Sequence, residues 1–149
     1  MMPMKRLDIL VVDDSLITVK KLSAMLEQLG HKVVKTAATG VQALDAYKAC
    51  TPDLVTMDIT MPDMDGIVAT RLIRSRFPNA IIIMVTSHGQ EKMVLDAIKA
   101  GAKGYLLKPF KADRLEELIK EIQVRYFPEL KEIPEDNPLL DTTPLSTDN

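Results

Sequence analysis

Strand-length apolar runs alternate along this chain with segments whose apolar residues return every three or four positions. Residues 7–12 are apolar except for Asp8, the pattern of a strand covered on both faces. Leu16, Val19, Leu22, Leu26 and Leu29 then keep a helical period, and Gly30 is the expected stop. Residues 31–37 read as a second strand. Residues 41–47 read as a helix ending before Thr51-Pro52, because the residue ahead of a proline avoids the helical region. The run 53–57 is a third strand that ends in Asp58. After a loop closed by Asp65-Gly66, Ile67, Leu72 and Ile73 mark a third helix, stopped by Phe77-Pro78. Residues 80–85 form a fourth strand, and Met93, Val94, Ala97 and Ile98 one face of a fourth helix ended by Gly101. Residues 104–107 make the fifth strand, and Leu115, Leu118, Ile119 and Ile122 the fifth helix.

Five βα units with continuous apolar strands predict an α/β fold, a doubly wound five-stranded parallel sheet with five helices on its two faces. The expected single domain spans residues 5–125. Residues 126–149 carry Pro128, Pro134, Pro138 and Pro144 in an acidic, threonine-rich stretch without helical period, expected to be a disordered tail. No output domain is expected within these residues.

Composition narrows the function classes only slightly. At 149 residues, 46% hydrophobic and 27% charged, the chain suits one ordinary globular domain. Its formal charge of −2 offers no field to recruit nucleic acid or an anionic membrane. The single cysteine, Cys50, precludes an internal disulfide and reads as a small residue near a helix end. The first apolar run is too short for a membrane span and has no cleavage signal after it, so a cytoplasmic location is expected.

The strand ends carry the chemistry. Asp13-Asp14, Asp58, Thr86 and Lys108-Pro109 all follow or close strands at their carboxyl ends, where ligands of parallel α/β sheets bind. Two ionised carboxylates about 4 Å apart repel by roughly 4 kcal/mol at an effective dielectric near 20. Three converging acids therefore require protons or a cation, and Lys108 alone supplies too little charge. An all-oxygen donor set selects a hard divalent ion, Mg2+ with Mn2+ as a substitute. His31 and His88 read as isolated, and no set with zinc spacing exists. A cation beside an exposed carboxylate, a hydroxyl and an ammonium is equipment for moving a phosphoryl group onto that carboxylate. Asp58, central in the sheet and alone on its strand, is the best nucleophile.

The same residues carry a family likeness. Val11-Val12-Asp13-Asp14-Ser15, Met57-Asp58-Ile59-Thr60-Met61-Pro62-Asp63-Met64-Asp65-Gly66, Val85-Thr86-Ser87 and Leu107-Lys108-Pro109-Phe110 resemble the signatures of bacterial response-regulator receiver domains. The likeness covers roughly residues 5–125, and it is the ordered set that is specific. It implies a flavodoxin-like sheet of strand order 2-1-3-4-5. It further implies that Asp58 is the phosphoacceptor for a histidine kinase's phosphohistidine, with Asp14 on Mg2+ directly, Asp13 through water and the Thr60 backbone carbonyl as a further ligand. Lys108 should contact both Asp58 and the phosphoryl oxygens, and Lys108-Pro109 is the candidate cis peptide. Thr86 and Tyr105 become the switch residues, acting on a surface of helix 4, strand 5 and helix 5, where Lys92, Asp96, Lys99, Lys103 and Arg114 are expected exposed charges. Thr60 and His88 border the path of the attacking water and are expected to tune autodephosphorylation.

Plainer readings exist for each residue alone. Asp13-Asp14 suits a helix N-cap, and Asp63 and Asp65 suit loop and cap positions without chemistry. Thr86 and Tyr105 are ordinary strand residues, Lys108 an ordinary solvated lysine, His88 a plain loop residue. The methionines at 57, 61, 64, 84 and 93 read as gap-fillers. A flavin module would not place Asp13-Asp14 at the phosphate-binding turn. An aspartyl phosphatase would carry a second acid where Thr60 stands, so a turnover enzyme is not expected. A pseudo-receiver would lack part of the Asp58, Thr86, Lys108 set. Two roles stay open: a diffusible regulator of the chemotaxis type, or an intermediate carrier in a phosphorelay. The implied partners are a histidine kinase or histidine phosphotransfer protein, a downstream protein, and a second copy of the chain on phosphorylation.

Overall fold

The computed structural model describes residues 4–128. The elements alternate strictly: β1 (Asp8–Val12), α1 (Leu16–Gln28), β2 (Lys32–Ala37), α2 (Gly40–Cys50), β3 (Leu54–Met57), α3 (Gly66–Arg76), β4 (Ile82–Thr86), α4 (Glu91–Ala100), β5 (Gly104–Leu107) and α5 (Ala112–Tyr126). All pairings are parallel, in the order β2-β1-β3-β4-β5. The expected flavodoxin-like order is the observed one. Residues 6–120 make one compact unit. Among the described residues, 4–5 and 121–128 group separately, where Gln123 Nε2 donates to the Lys5 carbonyl at 2.7 Å and Lys5 Nζ lies 5.1 Å from the Phe127 ring centre. The tail expected over residues 126–149 lies, from residue 129 onward, outside the described residues.

The central strands β1, β3 and β4 bury almost every side chain, as their unbroken apolar pattern requires. Leu10, Val12, Val55, Met57, Ile82 and Met84 face a cluster shared with Ala43, Ala69, Ile73 and Ala97 from the helices on that side. Alanines at these contacts let helix backbones approach the sheet closely. Met57 and Met84 lie in the core, Met61 at its margin, and Met64 and Met93 pack against it, consistent with gap-filling.

Helix ends follow local chemistry. The Ser15 hydroxyl accepts from Thr18 N–H, the Thr39 hydroxyl from Gln42 N–H at 3.1 Å, and the Asp65 carboxylate from Val68 N–H at 2.8 Å. The N-cap of α1 is thus Ser15 rather than either preceding aspartate. Gly101 closes α4 with φ of 109°, in the left-handed region.

The helices marked by apolar period are present, but not every marker residue is covered. Leu16 is 66% exposed, Leu72 38% and Ile98 56%. Buried on these helices are Leu22 and Leu26 of α1, Ala69 and Ile73 of α3, and Ala97 and Ala100 of α4, of which Leu22, Leu26, Ile73 and Ala97 are among the residues whose period marks the helices. Hydrophobic period identifies a helix but not how much of its arc the sheet covers. β4 also starts at Ile82, two residues later than expected, because Ala80 N–H is taken by the Phe77 carbonyl in a turn.

Gly66 marks the tightest approach. A Cβ there would stand 1.9 Å from the Asp58 carbonyl oxygen, so only glycine lets α3 begin against the end of β3. Gly66→Ala is expected to destabilise the fold by about 2–4 kcal/mol, since backbone must move to make room. Urea unfolding measures this, and a loss below about 0.5 kcal/mol would contradict the close approach.

Candidate functional site

Strand register assembles the site. Val12 pairs with Met57 and Met57 with Met84, so the residues that follow them emerge side by side. The ladder continues one step further: Asp13 N–H donates to the Ala37 carbonyl and Asp58 N–H to the Val12 carbonyl, each at 2.9 Å. Lys108 N–H donates to the Thr86 carbonyl at 2.8 Å. Backbone hydrogen bonds therefore set where Asp13, Asp58 and Lys108 start from, before any side chain is considered.

One carboxylate oxygen from each of Asp13, Asp14 and Asp58 lies within 4.8 Å of the others. Asp13 and Asp58 are buried and Asp14 is exposed. Asp13 Oδ1 accepts from Ser15 N–H at 2.9 Å, and Asp58 Oδ1 from Ile59 N–H at 2.9 Å. The Lys108 ammonium lies 2.7 Å from Asp13 Oδ2 and 3.7 Å from Asp58 Oδ1. The resemblance led to the expectation of a lysine serving Asp58. Its shorter contact is to Asp13, the more deeply buried of the two, where an unpaired charge costs most.

Burial, followed by the neighbouring Asp13 charge, pushes the Asp58 carboxyl above the usual carboxylate range. Lys108 and the Ile59 N–H oppose this without reversing it, and Asp14 adds a smaller push in the same direction. Three carboxylates with one ammonium leave the cluster net negative, and Asp14 is its exposed member. Such a donor set fits a hard divalent cation.

Around the acids stand the residues expected to act with them. Thr86, fully buried at the end of β4, accepts through its hydroxyl from His88 N–H at 3.3 Å. The His88 ring, through Nε2, is 2.7 Å from the Thr60 hydroxyl. The Tyr105 hydroxyl donates to the His88 carbonyl. His88 therefore touches Thr60, Thr86 and Tyr105 at once, and among the described residues neither histidine joins a metal-ligand group. His31, buried, accepts from Leu7 N–H through Nδ1 at 3.0 Å. The Lys108-Pro109 peptide is cis. Of the expected exposed charges, Lys92, Lys99 and Arg114 are exposed, whereas Asp96 and Lys103 are half-buried.

Asp63 does more than the plain loop role expected of it. Its carboxylate accepts from Gly40 N–H at 2.8 Å and Val41 N–H at 2.9 Å, reaching the first turn of α2, and from its neighbour Met64 N–H at 2.8 Å. These bonds hold its carboxyl below the usual range. Thr39-Gly40-Val41-Gln42 has the pattern of a capping box, but it leaves two amides that only a distant acceptor can reach.

The comparisons extend this picture. The family model of the response regulator receiver domain matches residues 9–120. The chemotaxis protein CheY of Bacillus subtilis is 49% identical over 113 residues, covering 76% of this chain and 94% of the relative. The chemotaxis protein CheY of Thermotoga maritima is 42% identical over 114 residues, with 76% and 95% covered. Among solved structures, a CheX–CheY–BeF3–Mg2+ complex from Borrelia burgdorferi aligns with a TM-score of 0.75 and 37% identity, covering 77% of this chain and 87% of that one. The family match spans the sheet and nearly all of its helices, and the chain belongs to the response regulator receiver domain family.

Proposed function

We propose that this chain is a response regulator of the chemotaxis type that accepts a phosphoryl group on Asp58 from a phosphohistidine. The observation that carries the proposal is the convergence of Asp13, Asp14 and Asp58 beside Lys108. The near-complete coverage of chemotaxis relatives favours this reading over that of a phosphorelay carrier.

Asp58 Oδ1 is engaged by Ile59 N–H and faces Lys108, which leaves Oδ2 as the oxygen assigned to attack. The new O–P bond forms as the donor's N–P bond breaks, and the departing imidazole takes up a proton. Asp13, Asp14, Asp58 and the Thr60 backbone carbonyl would hold Mg2+, which supplies the positive charge that the transferring phosphoryl oxygens require. Lys108 then shifts its contact from Asp13 toward the phosphoryl group. Thr86 exchanges its bond with His88 N–H for one to a phosphoryl oxygen, which loosens the loop that also holds the Tyr105 hydroxyl. The chemistry ends on the protein's own side chain, so the chain acts as a switch and not as a turnover enzyme.

Leu16 and Ile17, both exposed at the start of α1 just after Asp14, offer an apolar rim to the phosphodonor. Leu95, Ile98 and Leu107 are exposed on α4 and β5. Beside them lies a cavity of about 580 Å³ lined by Tyr105, Phe110 and Arg114 among others. This face would meet the downstream protein or a second copy of the chain. Among the described residues no helix is long and apolar enough to cross a membrane.

Incubation with acetyl phosphate and Mg2+ is expected to add the mass of one phosphoryl group to the parent and none to Asp58→Ala. An unmodified parent, or a modified variant, would overturn the proposal. The Thr60–His88 bond is expected to shield the acyl phosphate from water. His88→Ala and Thr60→Asn should each shorten the phosphate lifetime severalfold, and longer lifetimes would show that the pair delivers water instead.

The raised Asp58 carboxyl has a definite sign. A group that binds its proton more tightly in the folded state stabilises the fold below its unfolded pKa, and that contribution is lost as pH rises through the folded value. Ionised Asp58 therefore costs stability at neutral pH. Asp58→Asn should melt higher than the parent at pH 7.5 without metal, and the gap should close near pH 4, around the ordinary carboxylate range. Added Mg2+ should narrow it at pH 7.5 by stabilising the parent. A parent that melts higher than Asp58→Asn in metal-free buffer would refute the assignment.

A further inference from the structure

The loop between β3 and α3 carries Thr60, and its placement is over-determined. At its base, Gly66 N–H donates to the Ile59 carbonyl at 2.7 Å. At one flank, the Thr60 hydroxyl meets His88. At its tip, Asp63 reaches 23 residues back along the chain to α2.

The tip contact completes an accounting. Of the first amides of α2, Gln42 N–H goes to the Thr39 hydroxyl, and the Gln42 side chain turns back to Ala38 N–H at 2.8 Å. Gly40 and Val41 N–H have no acceptor within their own segment and receive the two oxygens of Asp63. A carboxylate suits this place because the helix N-terminus presents positive partial charge. A second contact lies beside it: a Cβ on Gly40 would fall 2.2 Å from Met64 Cγ and 2.6 Å from Sδ. Glycine at 40 therefore makes room for the Met64 side chain, and the Asp63 carboxylate seats the loop on α2.

We propose that Asp63 is a positioning residue of the phosphoryl site, holding the 59–64 loop against α2 so that Thr60 stays against His88 at the mouth beside Asp58. This rests on the reading of Asp58 as phosphoacceptor and adds a role for an acid that touches neither metal nor phosphoryl group. Helix α2, none of whose side chains belongs to the acidic cluster, becomes the anchor of the loop that borders it.

The test is a double-mutant cycle on the full chain. Decay of the Asp58 acyl phosphate is followed by intact mass for the parent, Asp63→Ala, Thr60→Ala and the pair. Asp63→Ala is expected to change the decay rate roughly threefold or more in the parent and to have little effect once Thr60 is gone, because coupled residues are non-additive. Asp63→Asn, which keeps one acceptor oxygen, should restore part of the parent rate, and it replaces Asp63→Ala should that variant not fold. An unchanged rate, or the same factor in both backgrounds, overturns the proposal. Amide and imidazole NMR shifts of Thr60 and His88 provide a readout that needs no phosphorylation. Asp63→Ala and Gly40→Ala should both displace them, and unmoved shifts would defeat the inference whatever becomes of Asp58. A parent that takes no phosphoryl group while those shifts do move would defeat the functional reading alone.

Discussion

Carboxylate repulsion at the end of the sheet is the constraint around which this molecule is arranged. Asp13 and Asp58 leave adjacent parallel strands in register, both buried, with Asp14 beside them. One lysine cannot neutralise three acids, so it sits closest to the deepest of them and leaves Asp58 raised and under-compensated. The fold tolerates this because the surrounding elements are bonded backbone to backbone. A loop-borne trio would relax apart, whereas residues continuing a hydrogen-bonded ladder cannot. The electrostatic cost is thereby held in place, in an arrangement that could hold a cation.

That arrangement separates two kinds of residue. Asp13, Asp58, Thr86 and Lys108 have positions dictated by the sheet. Thr60 and His88 meet above them from two different loops, joined by a single hydrogen bond. His88 also accepts from Tyr105 through its carbonyl and donates to Thr86 through its amide, so events at the acid have a short physical path to β5.

Much of this was legible in the order of residues. Continuous apolar strands announced a sheet covered on both sides, and acids at the ends of two of them announced a site. The strand order came from family likeness, since periodicity says nothing about which strands are neighbours. Leu16, Leu72 and Ile98 marked real helices yet stand exposed, because a helical repeat is blind to where the sheet ends and solvent begins. Asp63 was under-read for a different reason. Its partners Gly40 and Val41 are distant in sequence, and nothing in a local motif tells a carboxylate to cap a helix other than its own. Gly66 followed the same logic: its need for a missing side chain exists only once β3 and α3 are brought together.

The bond between Thr60 and His88 also bears on how such a protein diversifies. Both side chains hang from connecting segments, outside the strands whose alignment creates the acidic mouth. Exchange at either place leaves the ladder intact, so on the proposed reading the lifetime of the acyl phosphate could be altered without disturbing the strands that receive it.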